Sequence, residues 1–297
     1  MDKKGIAAYI AIVFIVSYAI EGLMFAMSLS PWVVYGLLLV PALAAWIASG
    51  LSASGSYRAG PVWPIPKGPA LRMTFGIPIV FGVAYGIASL AGLTRFDWDF
   101  GELMGLVSSV EQLHVEPQLA PLVPQFFFVM GLVLAIVLGP TAYAAMMLGN
   151  EYGWRGYLLP RLMPLGRWPA YVVTGLLWGL SILPPVLMMP GAAPLRDAVR
   201  LLTMMVALSL LLGEVWNRSR HLGLTAVCSG CCLCQATTIW TFSVTSNTTL
   251  LPWAGAFDNV AIVAFLVLAF LVRPVFGKLG ARTEQPPERV SEKDERG

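Results

Sequence analysis

Charged residues are scarce in this sequence, making up 12% of its 297 positions. A soluble globular domain carries about twice that share, so the chain lacks the polar side chains needed to cover a water-facing surface. Hydrophobic residues make up 57%, and we expect many of them to face lipid. The formal net charge of +3 is too small to indicate a nucleic-acid partner.

Histidine and cysteine are also scarce. The two histidines, His114 and His221, are predicted to be solvated residues in an outer loop and at the inner edge of a span. All four cysteines lie between 228 and 234, inside one apolar run, which argues against a secreted disulfide framework. Zinc sites use similar numbers of cysteines, but one straight helix cannot turn four thiols to one point. We favour close packing of small side chains between helices and predict no cofactor.

Long apolar runs dominate the rest of the chain. A spanning helix needs about 20 apolar residues, and the sequence predicts about eight such helices in an all-α polytopic membrane bundle. Nothing at the N-terminus resembles a cleavable signal. The candidate spans are 6–29, 31–53, 72–94, 122–148, 168–191, 199–216, 221–243 and 257–277.

The distribution of lysine and arginine predicts the orientation of these spans. With the N-terminus inside, the inner segments hold 16 of these residues, and the outer loops hold only Arg95, Arg196 and Arg200. Eight spans with both termini in the cytoplasm fit this asymmetry, so we expect a multi-pass protein of the cell membrane.

The segments between and after the spans are predicted from composition. Residues 1–278 are expected to form one transmembrane domain, and the charged tail 279–297 is expected to be disordered. The Pro- and Gly-rich segment 54–71 is expected to be an inner linker without regular structure. The acidic outer loop 95–120 is expected to be solvated, with a short interfacial helix over 102–112 as the alternative.

The most informative segment runs from Gly149 to Leu162, directly after the fourth apolar run, which Pro140 is expected to bend. Glu151 and Arg155 are four residues apart, so they share a helix face. A carboxylate and a guanidinium near membrane depth are costly unless they are paired, and we expect an ion pair. The alternative is a pair that only anchors the helix at the inner interface.

This segment, Asn150-Glu151-Tyr152-Gly153-Trp154-Arg155 followed by Gly156-Tyr157-Leu158-Leu159-Pro160-Arg161-Leu162, resembles the first motif of the CPBP intramembrane proteases. That family includes CAAX prenyl endopeptidases and bacteriocin self-immunity proteins, and its motif is Glu-Glu-x-x-x-Arg. The resemblance covers roughly residues 120–240. It implies a central cavity between spans four to seven.

The sequence departs from the family at the positions that carry chemistry. The first Glu of the motif, which is thought to activate water in the family, is Asn150 here. The second motif has the frame Trp178-Gly179-Leu180-Ser181-Ile182, with Ile182 where the family has His. The third motif, His-x-x-x-Asn, falls on Ser229 and Leu233, or on Gly230 and Cys234 if it is shifted by one residue. The family is sometimes described as metal-dependent, and the ligands are missing here.

These departures predict a loss of the family's chemistry. A general base must accept a proton, and neither the Asn150 amide nor Ile182 can do so. The remnants Glu151 and Arg155 are the residues left for a catalytic role, but Glu151 lies about 100° around the helix from Asn150. We predict a non-catalytic relative that binds a membrane-embedded or prenylated peptide, or a partner membrane protein. An active CAAX-type endopeptidase is the alternative, and a small transporter is a distant one.

Two further carboxylates fall within predicted spans. Glu214 lies one turn from Arg218, so we expect an ion pair at the inner interface. Glu21 has no local partner in the sequence, and it is a candidate for a polar contact between spans or for a proton-linked role.

Overall fold

The structure is a computed structural model of the chain, and it describes residues 2–27, 36–51, 59–97, 122–188, 194–237, 240, 244–246 and 259–276. The predicted outer loop, apart from its first residues, lies outside the described residues together with His114. The predicted tail 279–297 also lies outside them.

The described part of the chain is a bundle of helices, which confirms the predicted all-α membrane fold. Each of the eight candidate spans overlaps at least one of these helices. In chain order the α-helices are α1 (Lys3–Ala26), α2 (Val40–Leu51), α3 (Lys67–Leu90), α4 (Val123–Leu138), α5 (Ala144–Glu151), α6 (Leu159–Leu162), α7 (Arg167–Ser181), α8 (Leu183–Leu187), α9 (Pro194–Ser219), α10 (Leu222–Thr237) and α11 (Asn259–Phe276).

The fourth span extends beyond its predicted end at residue 148. A π turn, Gly139–Tyr143, joins α4 to α5, and a second π turn, Tyr152–Leu158, joins α5 to α6. A 3-10 turn, Met163–Leu165, then completes one continuous long helix over 123–165. The first π turn contains Pro140, whose missing N–H and ring disturb the regular helix there.

The surface of α3 shows why the bundle suits a bilayer. Its buried side includes Ile77 and Phe81, which pack in the core. Its opposite side is equally apolar, with Phe75, Ile79 and Val83 all more than half exposed. A helix that is hydrophobic on every side belongs in a protein core or a membrane, and the outward side of α3 therefore faces lipid.

Length and composition identify the membrane-crossing helices within the described residues. Four are long and apolar enough: Lys3–Ala26, Lys67–Leu90, Phe128–Leu165 and Pro194–Ser219. Three shorter apolar helices accompany them: Gly36–Leu51, Leu222–Thr237 and Asn259–Val272.

Helix α10 lies at the centre of the bundle. It packs against α3, α5, α9 and the first π turn, and nearly all of its residues are buried. Helix α9 packs between α7 and α11, while α1 packs against α2. This arrangement surrounds the motif-bearing part of the long helix on several sides.

A short antiparallel ladder is a feature that the sequence did not predict. Strand β1 (Thr94–Phe96) pairs with β2 (Val244–Ser246), with Arg95 opposite Thr245. The ladder connects the segment after α3 to the segment after α10, so it joins the chain at one end of the bundle.

Candidate functional site

The first motif lies at the junction of α5 and the second π turn. Asn150 and Glu151 are the last two residues of α5, and Arg155 lies within the turn. Arg155 Nη1 donates to Glu151 Oε1 across 3.3 Å, and both side chains are 0% exposed. The predicted ion pair is confirmed, and its complete burial does not fit an exposed interfacial anchor.

Arg155 also contacts the frame of the second motif. Its guanidinium carbon lies 4.5 Å from the ring centroid of Trp178, within the range of a cation–π interaction. Trp178 in turn stacks with Trp154 at a centroid distance of 6.4 Å. The two predicted motif segments, far apart in sequence, therefore meet at Arg155.

The third predicted motif position also reaches this pair. Ser229 on α10 is 1% exposed and lies close to the Glu151 side chain. A shifted register would place the family's His at Gly230, where even a Cβ atom would overlap the backbone of Ala144 and Gly139. Steric space therefore favours the register in which Ser229 stands at the family's His position. The partly buried Leu233 then stands at the Asn position, one turn later.

Ile182 marks the point where the fifth span is interrupted. It separates α7 from α8 and is partly buried against the apolar core. It lies one turn after Trp178, the residue that contacts Arg155. The interruption comes two residues before Pro184, whose missing N–H and ring disturb the preceding helical turn.

Several polar atoms around the pair have no hydrogen-bond partner. Within the described residues these atoms include Glu151 Oε2, Arg155 Nε and Nη2, Trp154 Nε1 and Ser229 Oγ. Buried polar groups are normally hydrogen-bonded, and each one left without a partner costs about 1–3 kcal/mol. The site therefore has unused capacity to bind water or a polar group.

Helix α1 contributes to the site, which the sequence did not predict. The Tyr9 ring stacks on Tyr157 at 5.2 Å and meets Trp154 edge-on at 5.6 Å. Tyr9 also lies close enough to Arg155 for an electrostatic interaction. No local pattern around Tyr9 indicates this contact, because its partners are about 145 residues away in the sequence.

The same face of α1 continues along the motif toward the N-terminus. Arg161 Nε lies 3.4 Å from Asp2 Oδ2, and the Arg161 guanidinium carbon lies 3.7 Å from the Tyr157 ring centroid. Aromatic and ionic contacts therefore hold α1 against the whole C-terminal half of the motif.

The cysteines pack where α10 meets the first π turn. A Cβ atom at Gly139 would lie only 3.1 Å from Cys231 Cα, so the two backbones approach closely there. All four cysteines are buried. Among the described residues, no three His, Cys, Asp or Glu side chains gather in a way that could hold a metal ion.

The prediction for His221 was wrong. Its side chain is buried, with Nδ1 accepting from the Leu224 N–H at 3.1 Å. Its Nε2 lies 2.8 Å from the Pro64 carbonyl oxygen, which makes Nε2–H the donor. The ring therefore caps α10 and fixes the predicted linker to it. The segment that carries Pro64 contacts the ring, and the sequence next to His221 does not indicate this contact.

The two other carboxylates differ from each other. Arg218 Nε donates to Glu214 Oε2 at 3.1 Å, which confirms that predicted pair. Glu21 is 1% exposed, and neither of its oxygens has a hydrogen-bond partner within the described residues.

A known family model covers the part of the chain that carries these motifs. Residues 124–232 match the family model described as Type II CAAX prenyl endopeptidase Rce1-like. That range begins in α4 and ends in α10, so it contains Glu151, Arg155, Trp178 and Ser229. No curated protein and no solved structure matches the chain.

Proposed function

We propose that the chain is a non-catalytic relative of the CAAX prenyl endopeptidases, whose family model matches residues 124–232, and that it binds a membrane peptide without cleaving it. The bound segment would be a prenylated or membrane-embedded peptide, or a partner membrane protein. The observation that carries the proposal is the buried Glu151–Arg155 pair, with Asn150 beside it and Ser229 near the Glu151 carboxylate.

The side chains at the motif positions argue against turnover. Peptide hydrolysis needs a group that takes a proton from the attacking water. Asn150 is neutral, and Ile182 and Leu233 have no polar atoms. The Glu151 carboxylate is already engaged by the Arg155 guanidinium at Oε1.

The unused hydrogen-bonding atoms support binding. Arg155 Nε and Nη2 and Trp154 Nε1 are donors, and Ser229 Oγ can donate or accept. A peptide carbonyl, directly or through a water, would satisfy such donors. Because these groups are buried and held by aromatic side chains, they would bind the peptide at a fixed position.

An active endopeptidase remains the alternative because of one observation. Glu151 Oε2 accepts no hydrogen bond within the described residues, and Ser229 lies beside the same carboxylate. If Glu151 acted as the base, the neutral amide of Asn150 would have no catalytic part.

A cleavage assay in lipid nanodiscs separates the two functions. We expect wild-type protein to leave prenylated and bacteriocin-like peptides intact. The control is Glu151→Gln, which keeps the shape of the side chain and removes its basicity. Robust cleavage by wild type that is lost in Glu151→Gln would overturn the proposal.

A restored variant tests whether the scaffold itself is that of a protease. The combined substitutions Asn150→Glu, Ile182→His, Ser229→His and Leu233→Asn return the family's residues to their positions. We expect cleavage only in this fourfold variant. Its control carries Asn150→Gln in place of Asn150→Glu, and equal activity in the two would contradict the role given to that position.

We also propose that the protein lies in the cell membrane with both termini in the cytoplasm. The Lys and Arg distribution supports this orientation. Tags at each terminus should be protected from an impermeant protease in intact cells and cleaved after permeabilisation. Cleavage of either tag in intact cells would contradict the proposal.

A further inference from the structure

A second cluster of charged side chains lies where α7 begins and α9 ends. Arg167 Nε is 3.4 Å from Glu214 Oε1, and Arg218 Nε is 3.1 Å from Glu214 Oε2. One carboxylate therefore faces two guanidinium groups. We call Arg167, Arg218 and the neighbouring Arg220 the arginine cluster.

The cluster carries excess positive charge. Arg220 is exposed, and it interacts electrostatically with Tyr171, as do Arg167 and Glu214. Three arginines around one carboxylate leave a formal charge of about +2. Arg220 donates to Asn217 Oδ1 at 3.0 Å, which holds it near the end of α9.

An aromatic side chain indicates the depth of the cluster. Trp168 is 49% exposed, and the Arg167 guanidinium carbon lies 4.8 Å from its ring centroid. Exposed tryptophan next to arginine is typical of the level of lipid headgroups. The long helix ends two residues before Arg167, so this end of the bundle also marks the boundary of a membrane-crossing helix.

We propose that the arginine cluster binds the phosphate of an anionic lipid headgroup. Arginine presents a planar fork of donors that matches phosphate oxygens. Arg167 and Arg218 are 41% and 27% exposed, so their remaining donors can reach a ligand while Glu214 holds them in place. The first turn of α7 has no side-chain cap, and the positive end of its dipole also favours an anion. This proposal does not depend on whether the protein is catalytic.

Native mass spectrometry of the full-length protein, purified in detergent, tests the proposal. The probes are phosphatidylglycerol, phosphatidylcholine of matched chains, and inorganic phosphate alone. We expect wild type to retain phosphatidylglycerol over phosphatidylcholine. Arg167→Gln and Arg218→Gln should each reduce that preference about fivefold, the factor expected for one basic residue near an anionic surface.

Matched variants keep the result decisive. Arg72→Gln removes an exposed arginine from the start of α3, outside the cluster, and should leave the preference unchanged. Arg167→Lys keeps the charge and should retain part of the preference, and a monodisperse elution profile would show that each variant is folded.

Three results would overturn the proposal. The first is equal retention of the two lipids by wild type. The second is a loss in Arg72→Gln as large as the loss in Arg167→Gln. The third is stabilisation by inorganic phosphate without lipid preference, which would assign the cluster to a soluble anion.

Discussion

Two Glu–Arg pairs with the same spacing differ in almost every physical respect. Glu151 and Arg155 are both 0% exposed, whereas Glu214 and Arg218 are 5% and 27% exposed. The first pair lies against Trp178 and beside Ser229 in the middle of the bundle. The second lies at the end of the bundle and shares its carboxylate with Arg167.

The i, i+4 spacing therefore predicts each pair but not how much that pair contributes to stability. In a buried site, removing one partner leaves an uncompensated charge, which is strongly destabilising. At the end of the bundle, Arg218 is partly exposed and Arg167 still faces the Glu214 carboxylate, so losing Arg218 leaves no uncompensated charge.

The largest expected difference lies between Arg155→Ala and Arg218→Ala. Arg155→Ala should lower the free energy of unfolding by about 3–5 kcal/mol, because Glu151 would be left buried without a partner. Arg218→Ala should lower it by about 0–1 kcal/mol. Thermal unfolding in the same detergent measures both, and equal losses would contradict the assigned burial.

Close packing around the buried pair gives the next largest effect. Gly230→Ala should destabilise the protein by up to about 3 kcal/mol, because the added methyl overlaps the backbone of the long helix. The control is Gly86→Ala on α3, where the new methyl meets nothing within 4 Å. That variant should be neutral or slightly more stable. An equal fall in the melting temperatures of Gly230→Ala and Gly86→Ala would contradict the close packing of α10 against the long helix.

The tryptophans beside the two arginine sites provide a third comparison. Trp178→Leu removes a buried ring over Arg155 and should cost about 2 kcal/mol, the upper range for a desolvated cation–π contact. Trp168→Leu removes the exposed ring near Arg167 and should cost about 0.5–1 kcal/mol. A denaturant titration of both variants measures the two losses in the free energy of unfolding. A larger loss in Trp168→Leu than in Trp178→Leu would contradict the assignment of the stronger cation–π contact to Arg155.

The smallest expected effect is the dependence on salt. Raising the salt concentration to about 1 M shortens the screening length to about 3 Å. The few tenths of a kcal/mol lost in Arg218→Gln should then disappear, while the loss in Arg155→Gln should persist. Repeating the unfolding measurements at low and high salt checks this, and a strong salt effect at Arg155 would place that side chain in contact with solvent.

Much of the fold could be predicted from the sequence because apolar runs of membrane length leave few alternatives. The end of the fourth span could not. Gly149, Gly153 and Pro160 look like helix breakers, but the helix continues through them. A Cβ atom at Gly149 would press on Leu39, and one at Gly153 would overlap Pro41. These glycines therefore allow close contact with α2 and with the residues just before it, and they do not form a turn.

The candidate site was predictable only where its residues are close in sequence or share a family motif. The Glu151–Arg155 pair follows from helical spacing. Tyr9 could not be predicted, because α1 lies outside the family match and reaches the site only through folding. His221 was mispredicted for the same reason, since Pro64 and the loop that carries it supply its shelter.

We propose that this site holds a peptide and leaves it uncut. The direct measurement is the mass of a photo-crosslinkable prenylated peptide recovered from purified wild-type protein in nanodiscs after prolonged incubation. We predict an intact peptide crosslinked near Arg155 and Trp178, with no fragments above those from empty nanodiscs. Fragments that accumulate with wild type and disappear with Glu151→Gln would contradict the claim.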